Sequence, residues 1–209
     1  MSATGRNVAG HERLESETYL TPAWCVHRLL EAVDLPGGRW LEPFAGAGSI
    51  VQAVNEVRSD IQWDAIEVRE ELGQRLRRVV PNAVVGDFRA VPGILGPYEV
   101  VISNPPFSLA FEAIEWSMRY APVVVMLLRL NFLASGERAE FMRQNTPDVY
   151  VLPNRPSFAH NGRTDSAEYA WLVFRGLRTI GQVGVLSTTP KSERCKIAAI
   201  NRIGMPQSA

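Results

Sequence analysis

The sequence has few cysteines and no long hydrophobic segment. Cys25 and Cys195 are its only cysteines in 209 residues, and neither lies in a metal-ligand pattern. We therefore expect two thiols in a reducing compartment and no zinc site. The longest apolar run, Ala121–Leu128, is far too short to span a bilayer. The first 20 residues are polar and unlike a signal peptide, so we expect a cytoplasmic protein with no bound metal and no membrane partner.

Net charge is absent as well, because 22 basic residues balance 22 acidic ones. The balance is uneven along the chain. Residues 1–128 contain 11 arginines and 16 acidic residues, whereas residues 129–209 contain 11 basic and 6 acidic residues. A basic C-terminal third would suit a polyanion, because phosphate contacts supply most of the sequence-independent affinity for nucleic acids. Chance variation on a solvated surface explains such an imbalance equally well, so charge alone does not identify a partner.

Segments typical of strands alternate with segments typical of helices. A helix is predicted to follow Thr21, as its N-cap, with Pro22 in the first turn and an end before Pro36. Strands separated by helices of roughly 10 residues indicate βαβ units and a mostly parallel sheet. The last strand follows its predecessor without a helix, so we expect it to pair antiparallel at an edge. The predicted strands are Arg39–Phe44, Ile61–Val68, Ala83–Gly86, Glu99–Ser103, Val123–Leu128, Val149–Leu152 and Glu168–Phe174, and the further predicted helices are Ser49–Val57, Glu70–Val80, Ala110–Arg119 and Glu137–Gln144.

This pattern predicts an α/β protein with a Rossmann-like, doubly wound sheet that is mostly parallel and has a C-terminal antiparallel edge strand. We expect a flexible N-terminal segment at residues 1–18, one domain at residues 19–176 and a basic tail at residues 177–209. In open parallel sheets, ligands bind outside the carboxyl ends of the strands, near the point where the strand order reverses. Functional residues are therefore expected where the strands end.

The first predicted strand ends in LEPFAGAGSI, which contains a G-x-G turn ahead of a helix. Gly46 and Gly48 allow a sharp turn and a close approach of a ligand to the backbone. A dinucleotide fingerprint would have a third glycine at position 51, where this chain has Val51. The pattern therefore favours a nucleoside cofactor without phosphates.

Acidic residues end the second and third strands. Glu67 is suited to accept hydrogen bonds from ribose hydroxyls. Asp87 is suited to accept one from an adenine amino group, with Phe88 packed on the adenine ring. For both carboxylates, helix N-capping or simple exposure to solvent remains the alternative.

The fourth strand is followed by the tetrapeptide NPPF. Asn104 offers a side-chain carbonyl, and Pro105 and Pro106 hold a rigid backbone without N–H groups. Phe107 offers a ring on which a base can stack, a contact worth ~1–3 kcal/mol per base. Two acceptors, the Asn104 side chain and the Pro105 carbonyl, would bind both hydrogens of an exocyclic amine and favour a pyramidal nitrogen. Such a site would accelerate methyl transfer through positioning and electrostatics.

The motifs TPAW, LEPFAGAGSI, IEV, GDF and NPPF occur in this order within 87 residues. In this respect the chain resembles class I S-adenosylmethionine-dependent methyltransferases, and in particular N6-adenine DNA methyltransferases of the N-P-P-[YF] type. The resemblance spans residues 18–175 and implies a methyltransferase catalytic domain, with S-adenosyl-L-homocysteine as the product and no metal. By that resemblance, Thr21, Pro22, Glu42, Phe44, Gly46 and Gly48 would contact the methionine moiety, Glu67 the ribose, Asp87 and Phe88 the adenine, and Asn104, Pro105, Pro106 and Phe107 the target base.

Enzymes that methylate a base in a duplex must extrude it, at a cost of a few kcal/mol. The late segment, residues 155–174, resembles the family motif whose aromatic residue packs on the flipped base, and Phe158 is the candidate. The loop at the start of this segment, NRPSFAHNGR, contains no acidic residue and is a candidate loop for contacts with the nucleic acid, although an ordinary solvated hairpin connection fits the same residues. Candidates for contacts with the nucleic acid are Arg129, Asn131, Arg155, His160 and Arg163.

Family members that read a sequence as monomers usually carry a separate target-recognition region, and residues 175–209 are too few for one. Specificity would then be loose, held in loops or supplied by a specificity or activating partner. The leading interpretation is N6-adenine methylation of DNA, in a restriction-modification pair or as an orphan enzyme. The alternatives are methylation of an RNA base (adenine N6 or guanine N2), methylation of a protein glutamine, and a catalytically silent subunit that binds nucleic acid.

Overall fold

The computed structural model describes residues 20–91, 96–158, 164–176 and 181–194. Strands and helices alternate through most of these ranges, as the sequence predicts. The strands are β1 (Gly38–Glu42), β2 (Ile61–Glu67), β3 (Val84–Val85), β4 (Val100–Ser103), β5 (Val123–Arg129), β6 (Asp148–Val151), β7 (Tyr169–Phe174) and β8 (Val183–Val185). The helices are α1 (Ala23–Ala32), α2 (Ser49–Asn55), α3 (Glu70–Arg77), α4 (Ala110–Ser117), α5 (Ala139–Gln144) and α6 (Lys191–Arg194), with a 3₁₀ turn at Leu130–Leu133. The N-terminal segment predicted at residues 1–18 lies outside the described residues.

The strands form one mixed sheet in the order β3-β2-β1-β4-β5-β7-β6-β8. All neighbouring pairs are parallel except the two that β7 makes with β5 and β6. The predicted α/β fold, Rossmann-like and mostly parallel, is confirmed. The strand order reverses between β1 and β4, which creates the switch point at which such sheets bind ligands.

The antiparallel pairing of β7 is confirmed, but its place in the sheet differs from the prediction. Strand β7 lies between β5 and β6, and the edge is formed by β8, which pairs parallel with β6. All six residues of β7 are buried, because an interior strand is covered on both faces. Val183 and Val185 of β8 are exposed, and this short strand falls in the segment that the sequence suggests is a tail.

The sheet separates the core into two layers, as the side chains of the central strand β5 show. Val123, Val125 and Leu127 of β5 pack in the layer that includes residues of α1 and α2. Val124, Met126 and Leu128 pack in the opposite layer, together with residues of α4. Successive side chains of a strand point to opposite faces, so an unbroken apolar run is what a strand covered on both faces requires.

Helix α1 is attached to the sheet by a buried hydrogen bond. The indole Nε1 of Trp171 donates to the Cys25 carbonyl at 2.9 Å, and both residues are fully buried. Burial also raises the pKa of the Cys25 thiol, which is free. The predicted cap of this helix is wrong: the N-cap is Pro22, and no side chain caps the helix. The hydroxyl of Thr21 is used elsewhere, as described below.

Candidate cofactor and target site at the carboxyl edge of the sheet

Strands β1 to β5 are parallel, so their carboxyl ends meet at one edge of the sheet. Strands β1 and β4 are direct neighbours, with Trp40 opposite Val100 and Leu41 opposite Val101. The glycine turn that follows β1 and the NPPF segment that follows β4 therefore leave the sheet side by side. This edge brings together most of the residues that the sequence singles out.

The glycine turn uses its two glycines in different ways. Gly46 and Gly48 have positive φ angles, +56° and +85°, in the left-handed region that favours glycine. A Cβ atom at Gly48 would contact Leu76 and Val79 at 3.4 Å, so this glycine faces packed side chains. Of the described residues, a Cβ atom at Gly46 would meet only the Arg69 guanidinium, at 3.9 Å. Within the described part of the chain, this side of the turn is thus uncrowded at Gly46, as close approach of a ligand requires.

The Glu67 carboxylate stabilises this turn through hydrogen bonds. Its Oε2 atom accepts a hydrogen bond from the Gly46 N–H at 2.6 Å, and its Oε1 atom accepts from the Arg69 N–H at 3.0 Å and from Arg69 Nε at 2.8 Å. The side chain is buried. The N-cap of α3 is Arg69, not Glu67, so the alternative of simple N-capping does not apply. Binding of ribose hydroxyls by Glu67 stays a prediction and would have to use the remaining lone pairs of this carboxylate.

Glu42 is the most deeply buried carboxylate of the site, with 1% of its surface exposed. Burial raises the pKa of Glu42 well above its ordinary value, a hydrogen bond from the Val51 backbone acts against this, and the nearby charge of Glu67 raises it further. Among the described residues, no hydrogen-bond donor reaches Glu42 Oε2. A buried carboxylate oxygen without a partner is costly. A polar group of a bound ligand would satisfy it, so the residues here fit a cofactor with hydrogen-bonding groups.

The predicted adenine-binding pair is only partly available. Asp87 is half-buried and forms an ion pair with Arg89, whose hydrogen bond lowers the pKa of Asp87 despite some burial. Phe88 is buried, with its ring 4.7 Å from that of Phe44 and edge-on to that of Trp116 at 5.2 Å. Packing of Phe88 on an adenine stays a prediction, and it would require the neighbouring protein rings to leave one face of Phe88 accessible. Phe44 is half-buried and is the less enclosed ring of this cluster.

The NPPF segment begins where β4 ends. Asn104 Nδ2 donates a hydrogen bond to Thr21 Oγ1 at 3.1 Å, so the segment before α1 lies against the end of β4. Pro105 is buried, whereas Pro106 and Phe107 are exposed. The Leu109 N–H closes the turn by donating to the Pro106 carbonyl at 2.9 Å, which leaves the Pro105 carbonyl outside this turn.

Arg129 covers the ring of Phe107. Its guanidinium carbon lies 4.0 Å from the ring centroid, although Phe107 remains 41% exposed. Arg129 also donates to Tyr169 Oη and to Asp165 Oδ2, both at 3.2 Å, and Tyr169 Oη donates to Asp165 at 2.6 Å. Burial acts to raise the pKa of Asp165, but the hydrogen bonds from Tyr169, the Ala167 amide and Arg129 outweigh it and lower that pKa.

The sequence analysis missed Tyr169 and Asp165. Tyr169 is the first residue of β7 and lies opposite Arg129 in the antiparallel register. The signal for it is weak: an aromatic residue at the start of a fully apolar strand is typical of core packing.

The late segment contributes differently from what was predicted. Phe158 is only 3% exposed and lies edge-on to Tyr169, with 5.0 Å between ring centroids. Stacking of Phe158 on the target base stays a prediction, and its burial in the core does not favour it. Arg155 forms an ion pair with Glu168, which directly precedes β7. Asn131 is exposed in the 3₁₀ turn after β5, and His160 and Arg163 lie outside the described residues.

Four arginines near this edge form ion pairs within the chain: Arg69 with Glu67, Arg89 with Asp87, Arg129 with Asp165 and Arg155 with Glu168. In the described ranges, no group of three or more histidine, cysteine, aspartate or glutamate residues is arranged to hold a metal ion. None of the helices there is long and apolar enough to cross a membrane.

No model of a known protein family and no curated protein matches the sequence. Solved structures do match the fold. A protein from Listeria monocytogenes, provisionally assigned as a class I S-adenosylmethionine-dependent methyltransferase, aligns with a TM-score of 0.55 at 16% identity, over 78% of this chain and 61% of its own. The 23S rRNA methyltransferase ErmE aligns with a TM-score of 0.55 at 16% identity, over 75% of this chain and 68% of its own.

A third neighbour is the modification subunit of a provisionally assigned type I restriction enzyme from Vibrio vulnificus. It aligns with a TM-score of 0.52 at 14% identity, over 85% of this chain and 47% of its own. The present chain thus spans less than two thirds of the Listeria and Vibrio proteins. At these identities the similarity establishes the fold alone: the chain has the fold of class I S-adenosylmethionine-dependent methyltransferases.

Proposed function

We propose that this chain is an S-adenosylmethionine-dependent methyltransferase that methylates the exocyclic N6 of adenine in DNA. The observation that carries the proposal is the position of two segments at one edge of the sheet. The glycine turn after β1, suited to a nucleoside cofactor, adjoins the NPPF segment after β4, suited to a flat amine. The hydrogen bond between Thr21 and Asn104 adds the segment before α1 to the same edge.

The residues of the first two strand ends would hold the cofactor. S-adenosylmethionine, when bound, supplies an electrophilic methyl group on a sulfonium centre. Among the described residues, only the Arg69 guanidinium lies near the position of a Cβ at Gly46, and Glu42 Oε2, which has no partner there, can form a buried hydrogen bond with the ligand. Pro22, Glu67 and Asp87 join this set by the resemblance to N6-adenine methyltransferases.

The NPPF segment would hold the target amine. An aromatic amine is a poor nucleophile because its lone pair is delocalised into the ring. If Asn104 Oδ1 and the Pro105 carbonyl accept its two hydrogens, the nitrogen becomes pyramidal and its lone pair points out of the ring plane. The new N–C bond then forms as the S–C bond breaks. The nitrogen releases one proton to water, because a neutral asparagine cannot act as a general base.

Phe107 and Arg129 would form one wall of the target slot. The guanidinium lies over the ring at 4.0 Å, and unpaired bases stack on aromatic rings and on guanidinium planes. Asp165 and Tyr169 keep Arg129 in place. We assign the wall to Phe107 and Arg129 instead of Phe158, since Phe158 is buried.

DNA is the target we favour. The TP segment ahead of the glycine turn and the late segment at residues 155–174 resemble those of DNA methyltransferases, and one structural neighbour is a modification subunit of a type I restriction enzyme. Methylation of an RNA base is the second candidate, favoured by the 23S rRNA methyltransferase among the neighbours. The two candidates share the chemistry of the site and differ only in the polymer that carries the base.

The test is a transfer assay with tritiated S-adenosylmethionine and three acceptors: unmethylated duplex DNA of mixed sequence, mixed-sequence RNA, and protein. After digestion of the DNA to nucleosides, we expect label in N6-methyl-2′-deoxyadenosine. Label that appears only in RNA or in protein would overturn the DNA target and keep the methyltransferase. If the protein binds S-adenosylhomocysteine but labels none of the three acceptors, the proposed function is contradicted.

Two asparagine variants distinguish loss of the site from general damage to the fold. Asn104→Ala should lower the transfer rate by roughly 10²-fold or more, as does the loss of a positioned polar group in other active sites, while affinity for S-adenosylhomocysteine is kept. Asn145→Ala is the control: Asn145 ends α5, donates to the Phe141 carbonyl, and precedes β6 at the opposite edge of the sheet. It should leave the rate unchanged, and an Asn104→Ala variant with normal turnover would remove the proposed slot.

A further inference from the structure

We infer that Thr21 is a positioning residue whose hydroxyl holds the Asn104 amide with its carbonyl oxygen toward the target amine. The inference rests on the proposed function and gives Thr21 a role other than contact with the cofactor. It is carried by one hydrogen bond, from Asn104 Nδ2 to Thr21 Oγ1 at 3.1 Å, between residues 83 positions apart in the sequence. Thr21 is 4% exposed, so water has little access to its hydroxyl.

The orientation of this amide decides whether the slot works. An asparagine side chain has an acceptor end and a donor end of almost the same shape, which exchange when the amide rotates by 180°. Only the oxygen can accept a hydrogen from an amine. The reversed amide would place N–H donors against the N–H groups of the target and repel it.

The two prolines explain why the oxygen is left for a ligand. An asparagine oxygen commonly accepts a hydrogen bond from the backbone N–H two residues later, in an Asx turn. In NPPF the next two residues are Pro105 and Pro106, and neither has an N–H. The chain therefore removes the nearest local partners of the oxygen, while Thr21 engages the nitrogen end.

Thr21 is well placed to hold the Asn104 side chain, with its hydroxyl accepting from the nitrogen end. It directly precedes Pro22, whose ring restricts the backbone, and helix α1 follows at Ala23. The buried bond from Trp171 to the Cys25 carbonyl attaches the first turn of α1 to the sheet. Threonine is also stiff about χ1 because its Cβ is branched. The hydroxyl thus has a rigid base from which to hold the amide.

The experiment compares Thr21→Val, which removes the hydroxyl at nearly constant shape, with Thr21→Ser, which keeps it. Thr189→Val is a matched control, because Thr189 is 2% exposed and its hydroxyl accepts from Arg28 Nε at 3.1 Å, outside the slot. With tritiated S-adenosylmethionine at saturation and duplex DNA as acceptor, Thr21→Val should lower kcat by ~10- to 100-fold, the range expected for a misplaced catalytic group. Thr21→Ser should recover kcat to within about 3-fold, and Thr189→Val should match the wild type.

A second measurement does not depend on the substrate. The side-chain NH₂ resonances of Asn104, identified by their loss in Asn104→Asp, should exchange slowly with water in the wild type and in Thr21→Ser. In Thr21→Val they should exchange at the rate of a free amide. Unchanged exchange in Thr21→Val would overturn the inference, even if no acceptor were methylated.

The outcomes separate the inference from the proposed function. If the wild type labels no acceptor, the proposed function fails, and the amide resonances still decide the role of Thr21. If the wild type labels DNA and Thr21→Val retains its kcat, the inference is overturned while the function stands. If Thr21→Val instead weakens binding of S-adenosylhomocysteine more than about 10-fold and keeps kcat at saturation, the hydroxyl contacts the cofactor, which also overturns the inference.

Discussion

Replacement of Gly46 by alanine should separate recognition of the cofactor from stability of the fold. Gly46 has a φ of +56°, and among the residues that the structure describes an added Cβ would meet only the Arg69 guanidinium, at an uncrowded 3.9 Å. The cost to the fold is therefore backbone strain alone, about 1–2 kcal/mol for a non-glycine residue in the left-handed region. For a protein of this size, that strain corresponds to a decrease in Tm of roughly 2–8 °C.

Gly176 provides a control with the same backbone strain. Its φ is also +56°, and no other described residue has an atom within 4 Å of the position that its Cβ would take. Gly176→Ala should lower Tm by a similar amount and leave binding of the cofactor product unchanged. Gly46→Ala should in addition weaken S-adenosylhomocysteine by at least about 10-fold, or ~1.4 kcal/mol, since the new methyl group occupies the space that the turn keeps open.

The assay is titration calorimetry with S-adenosylhomocysteine, alongside thermal unfolding of the ligand-free proteins. Equal Kd values for the wild type and Gly46→Ala would refute the reasoning, because the open side of the turn would then not be where the ligand lies. A much larger decrease in Tm for Gly46→Ala than for Gly176→Ala would show that Gly46 serves packing.

Three further predictions test other parts of the site. The raised pKa of Glu42 means that the fold favours its protonated form. The stability that the protonated form contributes is complete below the unfolded pKa and is lost as pH rises through the folded pKa. Glu42→Gln should therefore raise Tm more at pH 8 than at pH 5 while weakening binding of S-adenosylhomocysteine, and an equal effect on Tm at both pH values would contradict the raised pKa. Phe158→Ala should lower the free energy of unfolding by about 3–5 kcal/mol, as for other buried phenylalanines, whereas a stable variant with only a raised KM for DNA would restore Phe158 as a base-stacking residue. Asp87→Asn should change Tm little, since its ion pair with Arg89 is largely exposed, and should weaken S-adenosylhomocysteine if the carboxylate binds the adenine amino group; unchanged affinity in calorimetry would remove Asp87 from the site.

The parts of the fold that follow from periodicity could be predicted from the sequence. Strands β5 and β7 are continuous apolar runs, and the sheet buries both of their faces. The position of β8 could not be predicted, because three residues with two exposed valines carry almost no periodic signal. Its pairing with β6 depends on tertiary contacts alone.

The site was predictable to the level of the strand ends. A glycine turn and an NPPF segment in parallel strands must meet at one edge, whatever the details of packing. Aromatic residues were harder to place, because Phe88 and Phe158 have the same appearance in a sequence whether they stack on a ligand or fill the core. Partners distant in sequence, such as Arg155 and Glu168 across the hairpin, also leave no local pattern.

The ion pairs at the carboxyl edge have a consequence for how this protein would associate with a polyanion. A phosphate that approaches Arg69, Arg89, Arg129 or Arg155 must compete with a carboxylate already in contact with that guanidinium. The phosphate gives up its condensed cation, as in any contact of this kind. The displaced carboxylate, however, remains as a negative charge beside the polymer. Each such contact should thus add less than the usual ~0.9 to the dependence of log K on log[salt]. We expect the protein to elute early from a heparin column and to be weakly retained on bulk DNA, as a protein that moves between many sites on a polymer would be.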